Sequence, residues 1–223
     1  MFFSRKKKRL SAREIGASYD EDRQDEARSH GQVRPTLAQD HEIWNQPGPR
    51  SAAEVDTSVG YVDMGSLRIP VVPGMQVQTQ MSEDKKNILG VFLVLGNSGL
   101  LITVAAAPRS GGVWDELRSQ MRDGLQADGA TVDEVEGRYG VELHVAAPVA
   151  GPDGAKHTSY TRIIGCEGDR WFARLSVVGP AAIDEAVGAD VEKVIDRLVV
   201  VRDEKPRARL DVLPLSLPAA RNA

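Results

Sequence analysis

Cysteine is almost absent from this sequence: among its 223 residues, Cys166 is the single thiol. One cysteine cannot form an internal disulfide, which excludes the class of small secreted domains stabilised by disulfides. Cys166 falls in a strand-like pattern just before a turn, where a buried and unreactive thiol is expected more often than a nucleophile. A pairing of this thiol with a histidine stays open as the catalytic alternative.

Long apolar runs are absent too. No run reaches the roughly 18 residues that a membrane-spanning helix needs. Residues 1–9 are basic, but neither an apolar stretch nor a small-residue cleavage site follows them, so they do not have the pattern of a signal peptide. We therefore predict a cytoplasmic protein, and the basic start leaves peripheral contact with a membrane open.

A large excess of one charge is missing, as are the motifs of known catalytic or metal-binding chemistry. The formal net charge of −4 is too mild to indicate nucleic-acid binding over the whole surface. The four histidines form no His-x-His or His-Glu-x-x-His pattern, and no Cys-x-x-Cys, Gly-x-Ser-x-Gly or Gly-x-Gly-x-x-Gly motif occurs. The sequence predicts no metal site, no cofactor and no catalytic residue. It favours a non-enzymatic protein without deciding the matter.

The first 56 residues differ from the rest in composition. Residues 1–13 carry six basic residues and no acid, whereas residues 14–56 carry ten acids and four basic residues. Apolar residues are few and show no period, so this segment cannot bury enough surface to offset the entropy of ordering it. We predict a disordered arm and linker over residues 1–56.

Two parts of this arm have a pattern of their own. The basic tip consists of Arg5, Lys6, Lys7, Lys8 and Arg9. With Phe2 and Phe3 it is suited to weak contact with anionic lipid, but nucleic acid, or no partner beyond solvent, stays open. Ile43 and Trp44 are apolar within a polar stretch, which predicts either docking back onto the core or a short motif for a protein partner.

Residues 57–218 have the pattern of a folded domain, and residues 219–223 that of a tail. Strand-like segments alternate or are continuously apolar, and two longer segments have helical spacing. We predict an α+β domain, with two helices packed on a single, mainly antiparallel sheet. The predicted strands are 61–72, 75–81, 88–95, 100–106, 131–136, 139–146, 157–166, 170–178 and 199–201, and the predicted helices are 113–128 and 183–198.

The turn between the fourth of these strands and the first helix has the most specific local chemistry. Ser110 is a good residue for the N-cap of the helix, and Gly111 and Gly112 let the chain turn. Backbone N–H groups at such a helix start can bind an anion, and Arg109 could add a positive charge. We therefore consider a phosphate site at Arg109, Ser110, Gly111 and Gly112, although a capped helix that binds nothing is more common.

Two further groups of residues have a functional and a structural interpretation. Glu142 and His144 share one strand face and, with Asp133 or Glu136, could form an acid/base cluster, whereas a solvated sheet face is the commoner arrangement. Arg170 and Trp171 could stack on a ligand, although a tryptophan at the end of a hairpin more often belongs to the core.

Several segments together resemble a known family. These are Met64-Gly65-Ser66-Leu67-Arg68-Ile69-Pro70-Val71, Ala107-Pro108-Arg109-Ser110-Gly111-Gly112-Val113-Trp114-Asp115-Glu116 and Gly140-Val141-Glu142-Leu143. The sequence resembles the domain of unknown function 3710 family of actinobacterial proteins over about residues 58–218. The resemblance implies a single cytoplasmic domain of actinobacterial origin, and no activity, cofactor or catalytic residue. The order of strands and helices is also similar to that of PsbP-like sheets, an analogy of fold alone.

The function that these observations favour is that of a non-catalytic binding or accessory protein. The folded core would engage a protein partner, and the basic tip would tether the chain weakly to an acidic surface. The alternative is a domain or enzyme that binds a phosphate-bearing ligand at the turn from Arg109 to Gly112.

Overall fold

The structure is a computed structural model that describes the backbone of residues 10–11 together with residues 46–150 and 156–218. The basic tip, most of the predicted arm with Ile43 and Trp44, and the predicted tail lie outside the described residues. The described part contains two α-helices, α1 (Val113–Ala127) and α2 (Glu185–Ile195), and a short 3-10 helix, Pro180–Ala182, that leads into α2.

Most strands belong to one large antiparallel sheet. Its eight strands are β1 (Leu10–Ser11), β5 (Gln76–Met81), β6 (Ile88–Leu95), β7 (Ser98–Ala106), β8 (Thr131–Gly137), β9 (Gly140–Ala150), β10 (Lys156–Gly168) and β11 (Trp171–Val178). The spatial order is β1-β5-β6-β7-β11-β10-β9-β8, and every neighbouring pair is antiparallel. The predicted α+β class, with two helices and a large antiparallel sheet, is confirmed.

A second, smaller sheet is a correction to the prediction of a single sheet. It is formed by β2 (Arg50–Ser51), β3 (Tyr61–Asp63), β4 (Leu67–Pro70) and β12 (Val199–Val200), in the order β2-β12-β4-β3. The predicted strand 61–72 is divided at Gly65, which has φ 81° and turns the chain between β3 and β4. Local alternation cannot reveal this break, because both halves are apolar.

The chain joins this fold earlier than the predicted boundary at residue 56. β2 pairs in parallel with β12, and the N–H of Arg50 donates to the carbonyl of Leu198 at 2.8 Å. Gly48 and Pro49 are buried. The polar composition of this stretch hides its role, because its partner strand lies near the other end of the sequence.

The large sheet is covered on both faces, as the alternation of its strands requires. On one face, α1 packs over β8, β9 and β10 and forms a cluster that includes Trp114, Leu143, Ile163 and Phe172. On the other face, α2 and the small sheet form the larger core with Ile164, Ala173 and Leu175 among others. The two helices therefore lie on opposite sides of β10 and β11.

The segment 211–218 lies extended against the core, as its prolines predict. Leu213 is fully buried, and its N–H donates to the carbonyl of Val104 at 2.9 Å. Leu215 forms isolated bridges with Gly65 and Ile88, which connects the two sheets. Within the described residues, no helix has both the length and the apolar character needed to cross a membrane.

Candidate functional site

The turn before α1 does not have the geometry that the sequence suggests. The N-cap residue is Gly112, with φ 80° and ψ 14°, and no side chain caps the helix locally; Ser110, the predicted N-cap, is therefore wrong. Instead, the N–H of Trp114 donates to Oε1 of Glu167 at 2.8 Å. Glu167 belongs to the end of β10, so a residue far along the sequence caps this helix.

This contact places a carboxylate where a phosphate would have to bind. Asp115 and Glu116 lie in the first turn of the same helix and add negative charge. The structure keeps Arg109, Ser110, Gly111 and Gly112 together at the turn, and Arg109 and Ser110 are exposed. Phosphate binding at this turn stays a prediction, and Glu167 is a physical reason against it.

A buried ion-pair cluster connects the large sheet to α2. Glu142 is 1% exposed, and both of its carboxylate oxygens accept hydrogen bonds from the guanidinium of Arg162, one of them at 3.0 Å from Nη2. The same Nη2 lies 2.7 Å from Oε1 of Glu192 in α2. Gly137 leaves room for the Glu142 carboxylate, because a Cβ there would lie 2.3 Å from Oε1.

This cluster changes the interpretation of the predicted acid/base group. Nε2 of His144 is 3.8 Å from Oε2 of Glu142, so the two share a face as expected. Asp133 lies directly opposite His144, whereas Glu136 lies opposite Val141 and therefore belongs to the other face of the sheet. Since Arg162 holds the carboxylate of Glu142, the arrangement is that of a structural ion pair.

A second buried cluster surrounds Asp196, at the C-terminal end of α2. Its Oδ2 lies 2.8 Å from Nη2 of Arg138, and its Oδ1 accepts hydrogen bonds from the Tyr139 hydroxyl at 2.9 Å and from the Gly48 N–H at 3.0 Å. Burial, with the charge of Asp196 next in importance, raises the pKa of Tyr139 well above its usual range. The cluster fixes the position of Gly48 against the end of α2.

Of the remaining sequence candidates, Trp171 and Cys166 pack in the core, whereas Arg170 is partly exposed beside Asp169. Trp171 is 2% exposed, and its Nε1 donates to Oγ of Ser51 at 2.9 Å, so the interpretation as a core tryptophan is confirmed. Cys166 packs partly buried against the larger core. Desolvation, with smaller contributions from Glu142 and Asp196, raises the pKa of its thiol to about 12. A thiol with this pKa stays protonated near neutral pH and is a poor nucleophile.

An open groove of about 1120 Å³ lies beside α2. Its other walls are the turn between β6 and β7 and the loop that leads into β5. The lining is mostly apolar, and its main apolar side chains are Val72, Met75, Leu95, Val187, Val191 and Val194. No sequence motif indicates this groove, because its walls come from three separate parts of the chain.

The rim of the groove is charged. Asp190 and Lys193 are exposed and pair with each other, with Oδ1 and Nζ 2.7 Å apart. Asp196 also lines the groove, but its carboxylate is engaged with Arg138. Arg197 is exposed, and among the described residues none forms an ion pair with it. The groove therefore combines an apolar interior with a rim on which one positive charge is not compensated.

The groove and the predicted turn lie on different helices and do not form one site. The carboxylates of the two clusters are already held by arginines, whereas the groove has room for a ligand. A surface of this kind, concave and apolar with a few polar groups at its edge, is typical of binding sites. The groove is our candidate functional site.

Comparison with known families gives one finding. The model of the family described as "Protein of unknown function (DUF3710)" matches residues 48–223. The match begins at Gly48, whose N–H binds Asp196, and so includes the strand β2 that composition assigns to the linker. Among curated proteins, no sequence matches this chain.

Proposed function

The chain belongs to the family "Protein of unknown function (DUF3710)", and we propose that it is a non-catalytic binding or accessory protein. In this proposal the groove beside α2 binds a short segment of a protein partner, and the basic tip tethers the chain to an anionic membrane surface. The single observation that carries the first part is the open, apolar groove with Arg197 at its rim.

The groove indicates the chemistry of the partner segment. Val187, Val191 and Val194 recur on one side of α2; Val187 is 38% exposed and can contact a large apolar side chain, whereas Val191 and Val194 are buried in the core behind it. Arg197 at the rim favours a carboxylate on the segment beside that side chain, since complementary charge steers association and sets its register. We expect a large apolar residue flanked by Asp or Glu.

The buried clusters support a binding role over a catalytic one. A general acid or base has to reach a substrate, whereas Glu142, Glu192 and Asp196 are each engaged by an arginine within the fold. These ion pairs hold α2 against the sheet, and α2 is one wall of the groove. The clusters thus stabilise the shape of the binding surface.

Selection of short random peptides on the immobilised full chain tests the groove. Peptides with a large apolar residue and a carboxylate should be enriched on the wild type and lost on Val187→Asp, because the new charge would lie inside the apolar wall. Ile183→Asp is the matched control, since Ile183 is 65% exposed and does not line the groove. Equal enrichment on wild type and Val187→Asp would remove the groove from the proposal.

The tether rests on the five basic residues from Arg5 to Arg9 and on the adjacent Phe2 and Phe3. Each basic residue near an anionic surface contributes about 1 kcal/mol, less at high salt, and aromatic side chains can enter the interface. In the sequence, the run directly precedes β1, which pairs with β5 as the edge strand of the large sheet.

Co-sedimentation with vesicles tests the tether. The full chain should bind vesicles that contain phosphatidylserine, should not bind vesicles of phosphatidylcholine alone, and should lose binding at high salt. A deletion of residues 2–9 keeps β1 and should abolish the binding. If the chain ignores both vesicles but shifts an RNA probe with a steep salt dependence, the tip contacts nucleic acid and the membrane tether is wrong.

A further inference from the structure

We infer that the hairpin of β9 and β10 reaches beyond its neighbouring strands in order to pair with a second copy of this chain, through the outer side of β10 and in antiparallel orientation. Three observations carry the inference: the end of the hairpin is open on the β10 side, two strands alone are weakly stable, and this side lacks the residues that protect the other edges. No residue of the hairpin end lines the groove beside α2, so the inference does not depend on the proposed function.

The two strands of this hairpin continue past both of their neighbours. Within the described residues, β8 pairs with β9 no further than Ala146, and β11 pairs with β10 no further than Thr161. Beyond these residues β9 and β10 still pair with each other, over residues 146–150 and 156–160. We call these two segments the extension.

The β10 side of the extension is accessible. Residues 157–160 are all exposed, and Tyr160 is 45% exposed. After Val178, the last residue of β11, the chain turns towards β7 instead, since the N–H of Ala181 donates to Oγ of Ser98 at 3.0 Å. The outer side of β10 therefore offers backbone N–H and C=O groups to a further strand.

The extension gains little stability from its own pairing. A hairpin of two strands, with neither a third strand nor a helix against it, is marginally stable in water. Val149 is 43% exposed and Tyr160 is 45% exposed, so the fold does not bury the larger apolar side chains of the extension. A further strand along β10 would supply the missing pairing.

The other open edges of the large sheet carry features that hinder pairing. β8 exposes Asp133, Glu134 and Glu136, and a second copy of β8 beside it would bring these acids together. On the β9 side of the extension, Pro148 has no N–H to donate. On the far side of the sheet, β1 has only two residues. Residues 157–160 contain no proline, acid or lysine, so this edge is open to pairing.

A second copy of this chain is a partner that the edge fits. Two identical antiparallel strands are complementary to each other under a two-fold axis. With the axis at Thr158, this residue lies opposite Thr158 of the second copy, and Lys156 lies opposite Tyr160. Threonine pairs stabilise such positions, and in this register no two residues of like charge lie opposite each other. All of residues 156–160 are then paired.

Sedimentation velocity of the full chain over a series of concentrations tests the dimer. Because the contact is one short strand pair, we expect an equilibrium between monomer and dimer. Thr158→Asp places two like charges opposite each other and should raise the dissociation constant of the dimer about fivefold. Thr131→Asp is the matched control, since Thr131 is also an exposed threonine on an edge strand, and it should leave the constant unchanged. A wild type that is monomeric throughout, or equal constants for the two variants, would overturn the inference.

Oxidative cross-linking locates the axis. Thr158→Cys, combined with Cys166→Ala, should give a covalent dimer under mild oxidation. The reason is that Cα atoms directly opposite each other in an antiparallel pair lie about 4.5–5.5 Å apart, a distance that a disulfide spans. Thr131→Cys in the same background should stay monomeric. Equal cross-linking of the two variants would refute strand pairing at the extension.

Peptide selection separates a second copy from a strand of another protein. If the wild type is monomeric and its enriched peptides are lost on Thr158→Asp but kept on Val187→Asp, the edge binds a different protein, which overturns the inference. A dimer that Thr158→Asp weakens, with no peptide enriched on the wild type, would refute the proposed function and leave the inference standing.

Discussion

The turn before α1 and the groove beside α2 differ in two respects: whether a local sequence motif indicates them, and whether the fold leaves room for a ligand. The turn is a contiguous motif of glycines, serine and arginine, and the fold closes it with the carboxylate of Glu167. The groove has no motif, and the fold leaves it open. A local motif shows which backbone geometry a chain can adopt, but only the tertiary structure shows whether that geometry is already occupied.

The same contrast exists within α2. The side of the helix with Glu192 is tied to the sheet through Arg162, while the side with Val187 and Val191 faces the groove. On the first side Glu192 is partly buried and paired, and on the second Val187 is 38% exposed while Val191 belongs to the core. The first side therefore holds the helix in place, and the second offers one accessible apolar side chain for contact.

The largest effect should come from breaking the ion-pair cluster. Arg162→Met removes the partner of a carboxylate that is 1% exposed, and loss of one member of a buried pair costs about 3–5 kcal/mol. The free energy of unfolding, measured with urea, should fall by about this amount. Lys193→Met is the matched control, because its ion pair with Asp190 is exposed and is expected to contribute less than about 1 kcal/mol. Equal losses in the two variants would show that the ion-pair cluster of Arg162 stabilises the fold no more than an exposed ion pair does.

A smaller effect should appear at alkaline pH, through Cys166. Its pKa is raised to about 12 in the folded chain, whereas the unfolded thiol titrates near about 8.5. Above that lower value the unfolded chain loses a proton that the folded chain keeps, so stability present at neutral pH is lost as the pH rises. We expect a loss of about 1–2 kcal/mol near pH 10, with allowance for the partial exposure of the residue.

Cys166→Ala isolates this contribution, because it removes the titrating group. Its unfolding free energy should depend less steeply on pH than that of the wild type between about pH 8.5 and the tyrosine pKa of about 10. Identical slopes would mean that the thiol is not desolvated in the folded protein. The core on the α2 face would then be more open than the ion-pair clusters indicate.

A change of similar or smaller size should follow from removing the cap of α1. Glu167→Ala leaves the N–H of Trp114 without its acceptor, and loss of an N-terminal cap typically costs about 1 kcal/mol. Asp169→Ala is the control in the same hairpin, because Asp169 is exposed and lies 3.9 Å from Arg170. Thermal unfolding with and without inorganic phosphate completes the test. Stabilisation of the wild type by phosphate would show that the turn is not closed and would revive the phosphate interpretation.

The sequence predicts the secondary structure well and the contacts between distant segments poorly. The strands near Ile88, Leu100 and Tyr139 and the helix near Trp114 follow from local periodicity, which the structure retains. The capping of α1 by Glu167 cannot be predicted in this way, because a cap from another hairpin leaves no local signal. Ser110, in contrast, has the local pattern of an N-cap. Composition alone also cannot reveal that Arg50 joins a sheet, since its strand has two residues and a partner near the other end of the chain.

The candidate site illustrates the same limit. Glu142 and His144 are visible as a polar pair on one strand face, but their chemistry depends on Arg162, and nothing in the spacing places that guanidinium on the carboxylate. The groove could not be inferred from the sequence, because long-range packing joins α2 to two turns from separate parts of the chain. Ile43 and Trp44, for which docking on the core and a motif for a partner both stay open, lie outside the described residues.

The smallest effect on stability, and the sharpest test of the open side, should come from Val187→Asp. Val187 is 38% exposed, so the substitution should change the free energy of unfolding by no more than about 0.5 kcal/mol, as for an ordinary surface position. The same substitution should nevertheless remove peptide binding, because a charge in an apolar wall disfavours burial of an apolar side chain. Urea unfolding, compared with Ile183→Asp, measures the first effect. A loss of several kcal/mol in Val187→Asp alone would show that this side chain supports the fold, and the groove would then be a packing feature with no need of an occupant.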